Sequence, residues 1–331
     1  MVKKYELTHE SIKPDPNNPN CLLMKAGVTS PLRRVRALVD FYIIDSETGK
    51  KKLIEAGTLG GFIESESNLS HEGKCWIDGL AMVSGNAKVK GNAVVAGSAQ
   101  VNGSAIIKDD ARVFNDARVT DGATVEGEGQ VYNQAQVGGN ATVSYYARVF
   151  DSAKVDGSAR IGAGADVYGN AHVTGSAEVR GRATVFDIAL VEGESYIDGE
   201  VSVSGNAHLN GGCVWGEKII IHGNALIEGR PHITGNCLIT DDAKILDNAS
   251  LDGLNVKITG SAIIMEHAQV MDNATVSEQA TVKGSAYVAD DAQISGDAIV
   301  SGKAVFERGD FANSGKHTQG PRQQIAETEK G

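Results

Sequence analysis

The sequence predicts an all-β fold, a triangular solenoid of hexapeptide repeats with an N-terminal β cap. Every sixth residue from Val83 to Leu251 is large and apolar; of these 29 positions, 28 hold Val, Ile or Leu, and Trp215 is the exception. A second period, of 18 residues, spaces aromatic residues along the same stretch. A repeat that continues this far indicates stacked coils. The predicted segments are a β cap over 1–56, the solenoid over 57–309 and a polar C-terminal tail over 310–331.

Each hexad is interpreted as one short strand followed by one corner. In residues 87–92, AKVKGN, small and β-branched residues alternate with polar ones, which is the two-residue period of a strand with one buried face. The pair Gly91 and Asn92 is turn chemistry, because Gly, Asn and Asp accept a positive φ at low cost. We therefore expect the aliphatic residue of each hexad to fill the interior.

The residue after the inward position is aromatic once in every three hexads, over five successive coils. These residues, 18 apart, are Phe114, Tyr132, Phe150, Tyr168 and Phe186. Similar environments at every third strand indicate three strands per coil, and they place the five aromatics in one outward column. Three interpretations of this column are open. It is a stacking ladder between coils, an oligomer interface, or a binding platform for a ligand such as a sugar.

Residues 1–56 do not repeat, and they are expected to form the cap. Residues 32–44 are rich in β-forming residues, 46–49 form a turn, and 51–55 can return as a strand. A cap is needed because the end of a solenoid exposes unpaired strand edges and an open core. Residues 57–80 are expected to be degenerate hexads.

The repeat changes phase once, after Leu251. The next inward residue is Ile258, seven positions later, so one residue is inserted within 253–255. Phe306 takes the last inward position, and Phe311 is expected to help close the end. Residues 213–221, CVWGEKIII, are a second departure. Trp215 at an inward position should distort the coil, and this stretch is interpreted as a second interface, a cleft or additional core contact.

Composition and charge argue against several classes of partner. The net charge is −11 and the pI about 5.2, which does not suit a nucleic-acid surface or an anionic membrane. No apolar run reaches the length of a membrane span, and the first residues lack the apolar core of a signal peptide. Four cysteines without a C-x-x-C pair suit a reducing, cytoplasmic compartment. Cys213 and Cys237 fall at small-residue positions and are expected to be buried thiols.

Two leader motifs carry a resemblance to a known family. They are LxxVxALxDF over residues 32–41 and LGGFIESESNLSHEGKCW over residues 59–76, followed by the hexads. This arrangement resembles the YdcK-type bacterial hexapeptide-repeat proteins over about residues 30–310. The resemblance implies a single-stranded left-handed parallel β-helix, whose hand the period alone does not determine. It also implies membership of the transferase hexapeptide group.

That resemblance implies an acetyltransferase-like acyltransferase, with acyl-CoA as cosubstrate and an unidentified small-molecule acceptor. No permanently bound cofactor is expected, and the analogy of fold implies a homo-oligomer, specifically a trimer. The alternative is a non-catalytic solenoid that acts as a scaffold or binding module. This alternative is favoured by the uninterrupted coils, because acyltransferases of this fold commonly carry catalytic residues on a loop that leaves the coils.

Hexapeptide acyltransferases usually place a catalytic histidine beside the thioester, where it acts as a general base. His172 and His208 are the candidates here, because both precede an inward aliphatic residue and so point outward; a solvated surface histidine is the alternative. They are two coils apart, roughly 10 Å, which is too far for a shared metal ion. The γ-class carbonic anhydrases, on the same fold, complete a site across a trimer. Here Cys213 stands where that resemblance requires a third histidine, so no metal site is predicted.

Overall fold

The computed structural model describes residues 3–14 and 30–321. They form β-strands joined by tight corners, with a short 3-10 helix at Glu66–Asn68. The chain divides into two compact units, residues 1–170 and 171–331. Each unit contains parallel β-solenoid coils, which confirms the predicted all-β solenoid. No helix among the described residues is both long enough and apolar enough to cross a membrane.

The first unit contains 21 strands among its described residues. They are β1 Tyr5–Ile12, β2 Leu32–Ala37, β3 Phe41–Ile44, β4 Lys51–Ile54, β5 Leu59–Ile63, β6 Trp76–Ile77, β7 Met82–Val83, β8 Lys88–Val89, β9 Val94–Val95, β10 Gln100–Val101, β11 Ile106–Ile107, β12 Arg112–Val113, β13 Arg118–Val119, β14 Thr124–Val125, β15 Gln130–Val131, β16 Gln136–Val137, β17 Thr142–Val143, β18 Arg148–Val149, β19 Lys154–Val155, β20 Arg160–Ile161 and β21 Asp166–Val167.

Strand pairing in this unit confirms three strands per coil. From β7 to β18 each strand pairs in parallel with the strand three places later, so β12 pairs with β15 and β15 with β18. The paired inward residues Val113, Val131 and Val149 are 18 positions apart and 0% exposed. Their contact along the interior removes a continuous apolar column from water, which is the main source of stability in such a coil. The left-handed sense of coiling stays a prediction from the resemblance.

The corners hold residues with a positive φ, as the turn chemistry predicts. Most of them are Gly, Asn or Asp, which tolerate this region at low cost. Tyr145 and Ala163 also adopt it, with φ of 56° and 53°. Corner aspartates have a second role, shown by Asp121, whose carboxylate accepts a hydrogen bond from the backbone N–H of Gly139 in the next coil at 3.1 Å.

The N-terminal cap extends one face of the solenoid. Strand β1 pairs antiparallel with β2, β2 pairs antiparallel with β5, and β5 pairs in parallel with β7. Strands β3 and β4 form a separate antiparallel hairpin, and Phe41 of this hairpin packs edge-on against Trp76 at 5.4 Å between ring centroids. The strands predicted within residues 32–44 and 51–55 are present, whereas β1 had no periodic signal in the sequence.

A buried lysine holds β1 against the first coil. The Nζ atom of Lys4, a residue 5% exposed, donates hydrogen bonds to the carbonyl oxygen of Cys75 at 2.9 Å and to its Sγ at 3.2 Å. Burial lowers the pKa of this ammonium group, because desolvation disfavours its charged form. The contact is therefore maintained by hydrogen bonds to groups of the first coil.

The second unit contains 19 strands among its described residues. They are β22 His172–Val173, β23 Glu178–Val179, β24 Thr184–Val185, β25 Leu190–Glu192, β26 Tyr196–Val203, β27 His208–Ile221, β28 Leu226–Ile239, β29 Lys244–Asp247, β30 Ser250–Ile258, β31 Ile263–Ile264, β32 Gln269–Met271, β33 Thr275–Val276, β34 Thr281–Val282, β35 Tyr287–Val288, β36 Gln293–Ile294, β37 Ile299–Val300, β38 Val305–Phe306, β39 Phe311–Ala312 and β40 Lys316–His317.

The first of two departures from the 18-residue spacing in the second unit lies around Cys213. Tyr196 pairs with Cys213, 17 positions later, and Cys213 pairs with His232, 19 positions later. The predicted inward position of Trp215 is therefore wrong. Val214 fills the interior at 1% exposure, and Trp215 points outward at 51% exposure. Trp215 points outward because the corner before Val214 is one residue shorter than the others. A later register shift restores the phase of the repeat.

The C-terminal coils follow the predicted phase and extend beyond the predicted limit. Cys237 pairs with Val256, 19 positions later, which confirms the insertion within 253–255. Phe306 is fully buried, as predicted. The prediction that Phe311 helps close the end is wrong, because the hexad phase continues and Ala312 takes the inward position while Phe311 is 72% exposed. Parallel pairing then reaches β40, past residue 309, and residues 322–331 of the predicted tail lie outside the described residues.

Candidate functional site

The two predicted catalytic histidines lie in one outward column of the second unit. Leu190 pairs with His172 on one side and with His208 on the other, and both histidines are half-buried. His208 has a carboxylate partner, because its Nε2 lies 2.8 Å from Oε1 of Glu192. General base catalysis commonly uses a histidine whose ring is oriented by a carboxylate in this way.

A cleft of about 530 Å³ begins beside this pair. Gly193 directly follows Glu192, Asn210 lies two positions after His208, and both line the cleft. The lining also includes the following residues from the coils nearby: Tyr196, Gly211, Gly212, Cys213, Arg230 and His232. His208 and Glu192 do not themselves line this cavity, but each lies within two positions of a residue that does. The volume of the cavity is in the range of small-molecule sites.

Bare backbone forms part of the cleft wall. Gly211 and Gly212 have φ of 94° and 82°, and Gly229 in the next coil has φ of 95°. A Cβ on Gly211 would collide with the carbonyl oxygen of Gly229, so no larger residue fits there without moving a coil. Where neighbouring coils lie this close, only glycine fits, and the absence of a side chain also leaves the backbone atoms accessible to a ligand.

The two cysteines predicted to be buried thiols differ in the structure. The prediction is confirmed for Cys237, which is 2% exposed and whose Sγ donates to the carbonyl oxygen of Thr234 at 3.1 Å. It is wrong for Cys213, which is half-buried and lines the cleft. The short corner moves Cys213 by one position, from an inward position to an outward one between Tyr196 and His232.

The surroundings of Cys213 favour the neutral forms of its own thiol and of the Tyr196 hydroxyl. The Tyr196 hydroxyl donates to Oδ2 of Asp198 at 2.9 Å, and this hydrogen bond raises the pKa of Tyr196. Burial raises the pKa of the Cys213 thiol, and the nearby charge of Asp198 adds to the effect. A reaction that uses this thiol at neutral pH therefore needs a base.

Four members of the predicted aromatic column stack face to face in the first unit. Successive ring centroids from Phe114 through Tyr132 and Phe150 to Tyr168 are 4.9, 5.0 and 4.9 Å apart, with interplanar angles of 3–7°. Phe114 is only 7% exposed, and the next three are half-buried, so the outward column is largely covered by its own stacking. The rings cover one another's faces, and mainly their edges remain accessible. Phe186, in the second unit, is half-buried.

Polar contacts reinforce this stack on both sides. Arg148 donates from Nε to Oδ1 of Asp166 at 2.7 Å, and its guanidinium lies 5.8 Å from the centroid of Phe150. On the corner that follows the rings, Asn115 donates to Asn133 at 3.1 Å and Asn133 to Asp151 at 3.0 Å. Each of these hydrogen bonds joins neighbouring coils, so the geometry favours the stacking ladder among the three interpretations.

Replacing Phe114, Phe150 and Phe186 together with Thr tests the role of the column. We expect the melting temperature to fall by several degrees, because each lost aromatic pair contributes about 0.5–1.5 kcal/mol beyond its buried area. Thr keeps the β propensity, so the circular dichroism spectrum should persist. Analytical ultracentrifugation tests the opposite interpretation. If the variant dissociates from an oligomer while its melting temperature is unchanged, the column is an interface and not a ladder.

No group of three or more His, Cys, Asp or Glu residues close enough to hold a metal ion occurs within 3–14 and 30–321. The lining of the cleft instead includes an imidazole, a thiol and a phenol, from His232, Cys213 and Tyr196. The hexad phase placed His208 outward, and it placed His232 outward on the same ground, although His232 was interpreted as a surface histidine. Glu192 and Tyr196 were not singled out, because each occupies a repeat position at which polar residues are common. The doubled glycine at 211–212 was the available signal of an altered corner.

Comparison with known proteins supports the repeat type. Residues 292–308, in the C-terminal coils of the second unit, match a family model described as YdcK beta solenoid repeat. This segment is therefore similar to the YdcK-type repeat. The matched segment includes β36 and β38, whose inward residues Ile294 and Phe306 are fully buried. A search of curated proteins found no match.

Proposed function

We propose that the cleft of the second unit is an acyl-transfer site, at which an acyl-CoA thioester donates its acyl group to a small-molecule acceptor. The observation that carries the proposal is the 2.8 Å contact between Nε2 of His208 and Oε1 of Glu192, whose neighbour Gly193 lines the cleft. A YdcK-type solenoid alone is a weak basis for an activity, because one fold supports many functions.

The contact determines which imidazole nitrogen is basic. A carboxylate accepts hydrogen bonds, so neutral His208 carries its proton on Nε2 and keeps the lone pair on Nδ1. Nδ1 can then accept the proton of an acceptor hydroxyl or amine as that group attacks the thioester carbonyl. Glu192 stabilises the imidazolium that forms, and Arg230 in the cleft offers a cation to an anionic group such as a phosphate of the cosubstrate.

Calorimetry with acetyl-CoA tests this proposal, together with an assay of free CoA thiol released in the presence of amine and hydroxyl acceptors. We expect acetyl-CoA to bind, and its consumption beyond one equivalent per protein chain to require an acceptor. A heat signal indistinguishable from dilution at millimolar acetyl-CoA would remove the acyltransferase proposal and leave the alternative below.

A second candidate is a non-catalytic scaffold or binding module. The observation in its favour is the continuity of the coils, because no connection between successive strands from Trp76 to His317 is longer than four residues, such as 78–81 between β6 and β7. The catalytic loop expected from the resemblance has no counterpart in this stretch. Under this proposal the cleft binds a ligand without turnover, so binding without release of CoA thiol would distinguish it.

A further inference from the structure

The three described cysteines differ in what their sulfur atoms contact. Cys75 is fully buried and its Sγ accepts a hydrogen bond from Lys4. Cys237 is 2% exposed and donates to a backbone carbonyl. Cys213 is half-buried and lines the 530 Å³ cleft. Its thiol is therefore the one among them that a molecule in the cleft can reach.

Two side chains on adjacent strands flank Cys213. His232 pairs with Cys213 on one neighbouring strand, and neighbouring parallel strands lie about 4.7–4.9 Å apart. Tyr196 pairs with Cys213 on the opposite side. Both neighbours line the same cleft, and His208 with its Glu192 partner lies within two positions of the lining residues Asn210 and Gly193. A thiol and a neighbouring imidazole thus line one cavity, with a second imidazole close to it along the chain.

The placement of Cys213 depends on an irregularity of the coil. The regular hexad phase would turn this residue inward, where a small buried side chain only fills space. The 17-residue step from Tyr196 and the consecutive positive-φ glycines Gly211 and Gly212 turn it outward instead. Irregular backbone of this kind is common where a fold positions a functional group.

We infer that Cys213 is a nucleophile that carries the acyl group during the transfer, with His232 as its base. The inference rests on the proposed acyl transfer and adds a covalent intermediate to it. The sulfur of Cys213 attacks the carbonyl carbon of the acyl-CoA thioester; a new S–C bond forms, and the bond from that carbon to the CoA sulfur breaks. The thiol proton passes to His232 and then to the departing thiolate, so CoA leaves as a thiol.

The second step transfers the acyl group to the acceptor. The oxygen or nitrogen of the acceptor attacks the carbonyl carbon, and the bond from that carbon to the sulfur of Cys213 breaks. His208 takes the proton of the acceptor and returns it to the sulfur of Cys213. One thioester replaces another in the first step, so neither step needs an oxidant or a further reactant.

Intact mass spectrometry of the full chain, incubated with acetyl-CoA and no acceptor, tests the inference. We expect one acetyl adduct on the wild type, mapped to Cys213 and removed by neutral hydroxylamine, which cleaves thioesters and leaves acetyl-lysine intact. Cys237→Ala is the matched control and should keep the adduct, because Ala is the usual residue at that inward position. Cys213→Ser should lose it, with its folding checked by circular dichroism and by melting.

Two further variants separate the roles of the imidazoles. His232→Gln should slow adduct formation by about tenfold or more, because the thiol loses its base. His208→Ala should form the adduct at the wild-type rate and retain it when acceptor is added. If wild-type protein releases CoA thiol with an acceptor, shows no adduct, and Cys213→Ser keeps the rate, the inference is overturned and the proposed function stands. If acetyl-CoA gives neither binding nor an adduct, both are overturned.

Discussion

Replacing Val149 with Asp should unfold the coils around it. Val149 is 0% exposed and lies between Val131 and Val167 in the interior column of the first unit. The carboxylate would be surrounded by aliphatic side chains with no hydrogen-bond partner, a cost of about 4 kcal/mol or more. Each coil is stabilised by its neighbours, so the loss should spread to the coils on either side.

Amide hydrogen exchange and guanidinium unfolding measure this effect. Exchange protection should fall around residues 131–167, and the unfolding transition should move to lower denaturant. Gln136→Asp is the matched control, because it places the same carboxylate on an exposed strand position between Arg118 and Lys154. That variant should behave like the wild type. A Val149→Asp protein with wild-type exchange and unfolding would show that the register of the interior is wrong.

The interior register was predictable because two independent periods in the sequence agree. A six-residue aliphatic period defines which side chain enters the core, and an 18-residue aromatic period defines the coil. Each period reflects a packing requirement that applies to every repeat. Single corner residues that depart from the Gly, Asn or Asp preference, such as Tyr145 and Ala163, therefore do not obscure the pattern. Phe306 and the insertion within 253–255 were located in the same way, since a change of phase remains visible when many regular hexads follow it.

The candidate site was less predictable because it depends on departures from the repeat. A shortened corner followed by a compensating shift leaves the later hexads in phase, so the sequence period continues through Trp215 as if it were inward. Pairing between neighbouring strands reveals the shift, which moves Val214 inward and Cys213 outward. The contact between Glu192 and His208 joins residues on adjacent coils, and no pattern along the chain encodes it.

His208→Ala should lower the rate of acyl transfer by about 10²–10⁴-fold, the usual contribution of a positioned general base. Glu192→Gln should cause a smaller loss, because the amide can still contact Nε2 but no longer stabilises the imidazolium. Added imidazole should restore part of the rate to His208→Ala, since a small base can enter a cleft of about 530 Å³. The measurement is the release of CoA thiol at saturating acetyl-CoA and a fixed acceptor concentration.

His222→Ala is the matched control for this experiment. His222 also points outward in the second unit, and its Nε2 lies 2.9 Å from the hydroxyl of Thr240; neither residue is within two positions of a residue that lines the cleft. Its removal should leave the rate within about twofold, because it deletes an outward imidazole that has no carboxylate partner and no neighbour in the cleft lining. His172→Ala tests the other predicted base. If acyl transfer is slowed in His172→Ala and unchanged in His208→Ala, the base is His172. If both variants keep the wild-type rate of acyl transfer, neither histidine is the base.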